Sequence, residues 1–75
     1  MTPDAIRAAR ARLGLSVAEF ARALSVEPQT VRRWEMDPAR NNYRTPSGTV
    51  ATLIDALLAM PKTRLALHLN TRGVV

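Results

Sequence analysis

Seventy-five residues fit one domain, and a chain this short buries only somewhat more than about 60% of the surface its unfolded form exposes, which leaves a thin core. It has no cysteine, so disulfides and thiolate metal sites are excluded as staples, and a partner surface that completes the core becomes the favoured remedy, hence a dimer. Eleven Lys+Arg against six Asp+Glu give a net charge of +5, and every cation but Lys62 is arginine, whose planar fork suits phosphates and the edges of guanine; the balance favours a polyanion.

No apolar run approaches the ~20 residues of a membrane span, and the opening MTPDAIRAAR lacks the apolar stretch of a signal peptide, so a cytoplasmic protein is expected. Thr2 is placed to cap a first helix with Pro3 at its first position. Ile6, Ala9 and Leu13 then share one face, Arg7 and Arg12 lie off it, and Gly14 stops the helix. Ser16-Val17-Ala18-Glu19 has the spacing of a capping box, in which the Ser hydroxyl accepts the amide three residues on and the Glu reaches back. The second helix turns Phe20, Ala21 and Leu24 inward. Leu24-Ser25-Val26 interrupts it, and Pro28 opens a third helix that runs to about Met36. Two short helices joined by so brief a turn must cross steeply, with Ala21 permitting close approach and Val26 and Val31 filling the angle; this is the geometry of a helix-turn-helix.

Asp37-Pro38 ends the third helix, and the chain through Arg44 reads as loop. Thr45 is expected to cap a fourth helix with Pro46 first. In that helix Val50, Leu53, Ile54, Leu57 and Leu58 form an apolar stripe wider than three short helices need, which marks these five as candidates for a dimer interface. After Pro61, Leu65, Leu67 and Leu69 alternate as in a strand, whereas the proline-led composition suits a helix; residues 62–70 stay open between the two, with a short helix preferred. Residues 71–75 are expected to fray. No repeat or second domain is visible, so residues 1–75 read as one all-α bundle of four to five helices.

Taken together, Ile6-Arg7, Arg10, Gly14-Leu15-Ser16, Glu19-Phe20-Ala21, Leu24, Val26, Thr30-Val31 and Trp34-Glu35 carry a spacing that resembles the Cro and phage-repressor family of helix-turn-helix proteins, from about Ile6 to Leu58. The resemblance implies that the second helix of the motif, within residues 16–35, lies in the major groove of double-stranded DNA with its early outward residues on base edges. Here those residues are Pro28, Gln29, Arg32 and Arg33. Their chemistry agrees, since Gln both donates and accepts at adenine and Arg forks onto guanine. Two adjacent arginines on an exposed helix are otherwise simply solvated, and it is the flanking motif that favours recognition.

Ser16 and Val17 correspond to the helix start beside the DNA backbone, where free amides meet phosphate. Val17 departs from the glutamine usual in the family, and Ser25 stands where glycine is common, at some backbone strain. Glu27 places a carboxylate at the DNA-facing edge; it either accepts from a cytosine amino group or caps the third helix, and the cap is preferred. The loop residues Arg40, Asn41, Asn42, Tyr43 and Arg44 are implied to follow the phosphate backbone, with Arg44 the foremost phosphate contact or, alternatively, an entrant to a narrow minor groove; the bland alternative is an ordinary polar loop. Arg10 and Glu35 match family positions that form an ion pair between the first helix and the end of the recognition helix. Trp34 reads as packing at the core edge rather than a stacking platform.

His68 is alone and has no partners for a metal site, and Asp4, Glu19, Glu27, Glu35, Asp37 and Asp55 form no acid–base pair beside a nucleophile motif, so neither a metal, a cofactor nor an enzymatic activity is expected. The implied function is an autoregulatory repressor that binds an inverted repeat as a homodimer and excludes polymerase. A different class is also open: Arg44-Thr45-Pro46-Ser47-Gly48 followed by Leu53-Ile54 and Leu57-Leu58 resembles helix-turn-helix antitoxins, which would add a toxin protein as partner. Sequence-indifferent coating of DNA is a third.

Overall fold

Thr2, in extended backbone, accepts the amide of Ala5 through its hydroxyl (3.1 Å) and Pro3 follows at the first helical position, so α1 spans Pro3–Leu13. Gly14 closes it at φ +70°, where its amide bonds to the carbonyl of Ala11 (3.0 Å) and that of Leu15 to Arg10 (3.2 Å). Both halves of the capping box form at Ser16 and Glu19 and start α2, Val17–Leu24. The same closing turn then recurs at Ser25 (φ +59°), with Ser25 and Val26 amides on the carbonyls of Arg22 and Ala21. α3 is Pro28–Glu35, α4 Gly48–Ala59 and α5 Lys62–Thr71. The computed structural model describes residues 1–71 and 73, and no strand occurs among them.

Ile6 and Ala9 from α1, Leu15 from the turn before α2, Phe20, Ala21, Ala23 and Leu24 from α2, Val31 and Trp34 from α3, and Ile54, Leu57 and Leu69 from α4 and α5 close one core. The apolar spacing of the sequence therefore points inward as expected, with Ala23, Leu15 and Leu69 joining it. Among the described residues no helix is long and apolar enough to cross a membrane.

Two expectations need correction. α4 is capped by Ser47, whose hydroxyl accepts the amide of Val50 (3.3 Å), rather than by Thr45. The chain is still running beside α3 at Arg44, whose amide bonds to the carbonyl of Arg33 (3.2 Å), so helix can begin only after Thr45-Pro46 has carried it back to the core. Secondly, Ile54 and Leu57 are wholly enclosed by the chain itself and offer no surface to a second copy; Val50, Leu53 and Leu58 are half-buried at the core margin. The width of the α4 stripe is thus used mostly inside the molecule.

The open question of residues 62–70 resolves as helix. Leu65 and Leu69, four apart, pack inward, while Leu67 between them stands 68% exposed. Of the segment expected to fray, Thr71 closes α5 and donates its hydroxyl to Leu67 (2.8 Å), and Gly73 accepts from the Arg22 guanidinium (3.1 Å); Arg72, Val74 and Val75 lie outside the described residues.

A Cβ built at Gly14 meets nothing within 4 Å, so the requirement for glycine there is conformational alone. Gly14→Ala is expected to lower unfolding stability by about 1–2 kcal/mol, the cost of a left-handed L-residue. Denaturant unfolding measures it, and an unchanged midpoint would contradict the assignment.

Candidate nucleic-acid interface

α3 divides cleanly by face. Val31 and Trp34 are buried, at 0% and 3% exposure, and Gln29, Arg32 and Arg33 are exposed. Gln29 and Arg33, four residues apart, stack one turn above the other on the side away from Val31, with Arg32 flanking them. Among the described residues no ion pair or hydrogen bond engages the side chains of Arg32, Arg33 or Arg40, so their donors all face solvent. Pro28 is half-buried at the start of the helix.

Glu27 occupies the N-cap of α3, but only its carbonyl serves, accepting from Thr30 (2.9 Å) and Val31 (3.4 Å); the carboxylate makes no cap bond and is exposed. The expected side-chain cap is therefore corrected. The glutamate side chain is one carbon longer than the aspartate that suits this position.

At the start of α2 the capping box is also an electrostatic device. The Glu19 carboxylate accepts the Ser16 amide (2.8 Å), and this bond, followed by that with the Ser16 hydroxyl, holds the Glu19 carboxyl below its usual range. Two of the amides at this helix end, those of Ser16 and Glu19, are thereby taken. Val17 and Ala18 supply the amides left for an anion, and the Val17 side chain itself leans on the core.

The loop between α3 and α4 folds on itself. Asp37 accepts the Ala39 amide on its carboxylate (3.0 Å) and the Arg40 amide on its carbonyl (3.0 Å), and Tyr43 returns to Arg40 (3.1 Å). Arg40, Asn41 and Asn42 are exposed and Tyr43 half-buried. Arg44 is exposed but partly engaged, one arm of its guanidinium donating to the carbonyls of Asn41 (3.1 Å) and Tyr43 (2.7 Å).

Arg10 and Glu35 meet in a two-pronged pair, Nε to Oε2 at 2.9 Å and Nη2 to Oε1 at 3.0 Å, and the third nitrogen donates to the Leu15 carbonyl (3.2 Å). The Glu35 hydrogen bonds raise the Arg10 pKa above its ordinary value against the opposing effect of burial. A second tie, absent from any sequence pattern, is made by Arg7, which is ion-paired with Asp4 and donates to the Glu35 carbonyl. A backbone acceptor leaves no trace in residue identity. His68 is half-buried near the Ala23 carbonyl (3.5 Å), and among the described residues no three metal-binding side chains converge.

The Arg10 and Glu35 side chains are 24% and 11% exposed, which places the pair between a surface and a buried one. Arg10→Met is expected to cost about 2–4 kcal/mol of unfolding stability, much of it from leaving Glu35 unpaired. A loss under ~1 kcal/mol in denaturant unfolding would assign the pair to the solvated class.

A family profile described as helix-turn-helix matches residues 6–65, from the first core residue of α1 into α5. No curated protein and no solved structure matches the chain significantly. The profile takes in α2, the turn and the whole of α3 with its unpaired Gln29, Arg32 and Arg33, and the matched family is one of DNA-binding domains rather than enzymes. The chain belongs to the helix-turn-helix family of the Cro and phage-repressor type, whose partner is DNA.

Proposed function

We propose that the protein is a cytoplasmic, sequence-specific transcriptional repressor that binds an inverted repeat as a homodimer and acts by occupying its operator, its own promoter included. The observation that carries the reading is the outer face of α3: an amide and two guanidinium groups, without partners among the described residues, on a helix anchored through Val31, Trp34 and Glu35.

In this reading α3 lies in the major groove. Gln29 pairs with an adenine edge, Arg33 and Arg32 fork onto guanines, and the Pro28 ring meets a thymine methyl, each good two-pronged contact giving roughly 1–3 kcal/mol of discrimination. The amides of Val17 and Ala18 receive one phosphate. Arg40, Asn41, Asn42, Tyr43 and Arg44 follow the backbone, with Arg44 exchanging two loop carbonyls for a phosphate oxygen. A second copy covers Val50, Leu53 and Leu58, and the two α3 helices then stand about one turn of DNA apart, roughly 34 Å.

Arg33→Ala is expected to relax the preference at one base pair, and an unchanged binding-site profile would remove Arg33 from the reading set. Arg44→Ala is expected to weaken every duplex alike and to reduce the salt slope by about one unit; a loss confined to some sequences would make Arg44 a groove reader instead. Sedimentation of the free protein at micromolar concentration tests the dimer, and a persistent monomer that binds half-sites singly would contradict it.

A further inference from the structure

α3 does not close as α1 and α2 do. Where Gly14 and Ser25 turn into the left-handed region and bring their amides back onto the preceding turn, Met36 is extended, at φ −86° and ψ 167°. The carbonyls at the end of α3 therefore need donors from elsewhere in the fold. The Arg33 carbonyl takes the Arg44 amide, and the Glu35 carbonyl takes the Arg7 guanidinium. Arg7 and Arg10 lie three residues apart on α1, on adjacent turns of one side. They meet the same residue at separate places, Arg10 at its carboxylate and Arg7 at its carbonyl. Val31 and Trp34 fix the middle of α3 in the core, and the two attachments at Glu35 fix the direction of its C-terminal end. Asp4 pairs with the other arm of Arg7 and aligns the guanidinium, and the cation also lies at the negative end of the α3 dipole.

We propose that Arg7, aligned by Asp4, is a positioning residue for sequence recognition: with Arg10 it grips Glu35 at two points and fixes the direction in which α3 presents Gln29, Arg32 and Arg33. This rests on the reading of α3 as the DNA-reading helix. Its Arg7 side chain is 47% exposed and that of Asp4 91%, so the tie adds little to global stability and the Arg7 variants stay folded. Its effect falls on orientation, to which base-edge contacts are sensitive and phosphate contacts much less so.

The test compares wild type, Arg7→Ala and Arg7→Lys, each well below its melting temperature, on a duplex that the wild type selects from random sequence and on an unrelated one over a range of salt. Arg7→Ala is expected to lower the specific-to-unrelated affinity ratio by about two- to fivefold, the scale of an exposed ion-paired contact, with the salt slope unchanged. Arg7→Lys, which still donates to the carbonyl, restores most of the ratio. Equal weakening on both duplexes with a slope shallower by about one unit would make Arg7 a phosphate contact and overturn the proposal. An unchanged ratio alongside a lower melting temperature would make it merely structural, and also overturn it. Amide hydrogen exchange of the free proteins separates this from the broader reading. If wild type shows no sequence preference, that reading fails, but faster exchange in Arg7→Ala confined to the end of α3 upholds the two-point grip, and uniform exchange refutes it.

Discussion

An eight-residue helix has no stability of its own in water, since nucleation costs more than so few internal hydrogen bonds return. α3 is such a helix, and it is the element to which the proposed reading of DNA falls. Its shape and direction are therefore borrowed from the rest of the fold: Val31 and Trp34 are sunk into the core, and Glu35 is fastened to α1. Because anchoring consumes one side and the C-terminal end, the opposite side carries no structural duty. Gln29, Arg32 and Arg33 are consequently free for a ligand without loss to the fold.

The arginines divide along the same line. Arg7 and Arg10 reach the end of α3 and are matched by Asp4 and Glu35, while Arg32, Arg33 and Arg40 have no acidic partner among the described residues. The two pairs neutralise one cation with one carboxylate each, so the positive charge near the motif is carried by Arg32, Arg33 and Arg40, where it attracts phosphate. Glu19 acts against this at the start of α2, where its carboxylate already holds the amide of Ser16. Glu27 does so as well, as an exposed carboxylate that the helix cap does not use.

Much of the fold was legible because its boundaries are set by local chemistry. Thr2, Gly14 and the Ser16–Glu19 box act over three or four residues, and that spacing is written directly in the chain. The Arg10–Glu35 pair spans 25 positions and was readable only through family resemblance, not through any periodicity. What escaped was decided at long range or by competition between equals. Thr45 and Ser47 are both competent caps, and the Arg44–Arg33 backbone bond selects the latter. Leu65, Leu67 and Leu69 satisfy a period of two until burial shows that only the first and last pack inward. The α4 stripe told how much apolar surface exists but not that Ile54 and Leu57 spend it inside. The Arg7 tie ends on a carbonyl, an acceptor every residue carries.

The account rests on α3 discriminating between base sequences through side chains that the fold leaves free. Selection of the purified protein on random duplex DNA tests this most directly. A recovered inverted repeat, with half-sites about one helical turn apart and held at least ~10³-fold better than unrelated duplex, is the predicted result. Recovery of unenriched sequence at uniform affinity would contradict it and leave only sequence-indifferent attraction to phosphate.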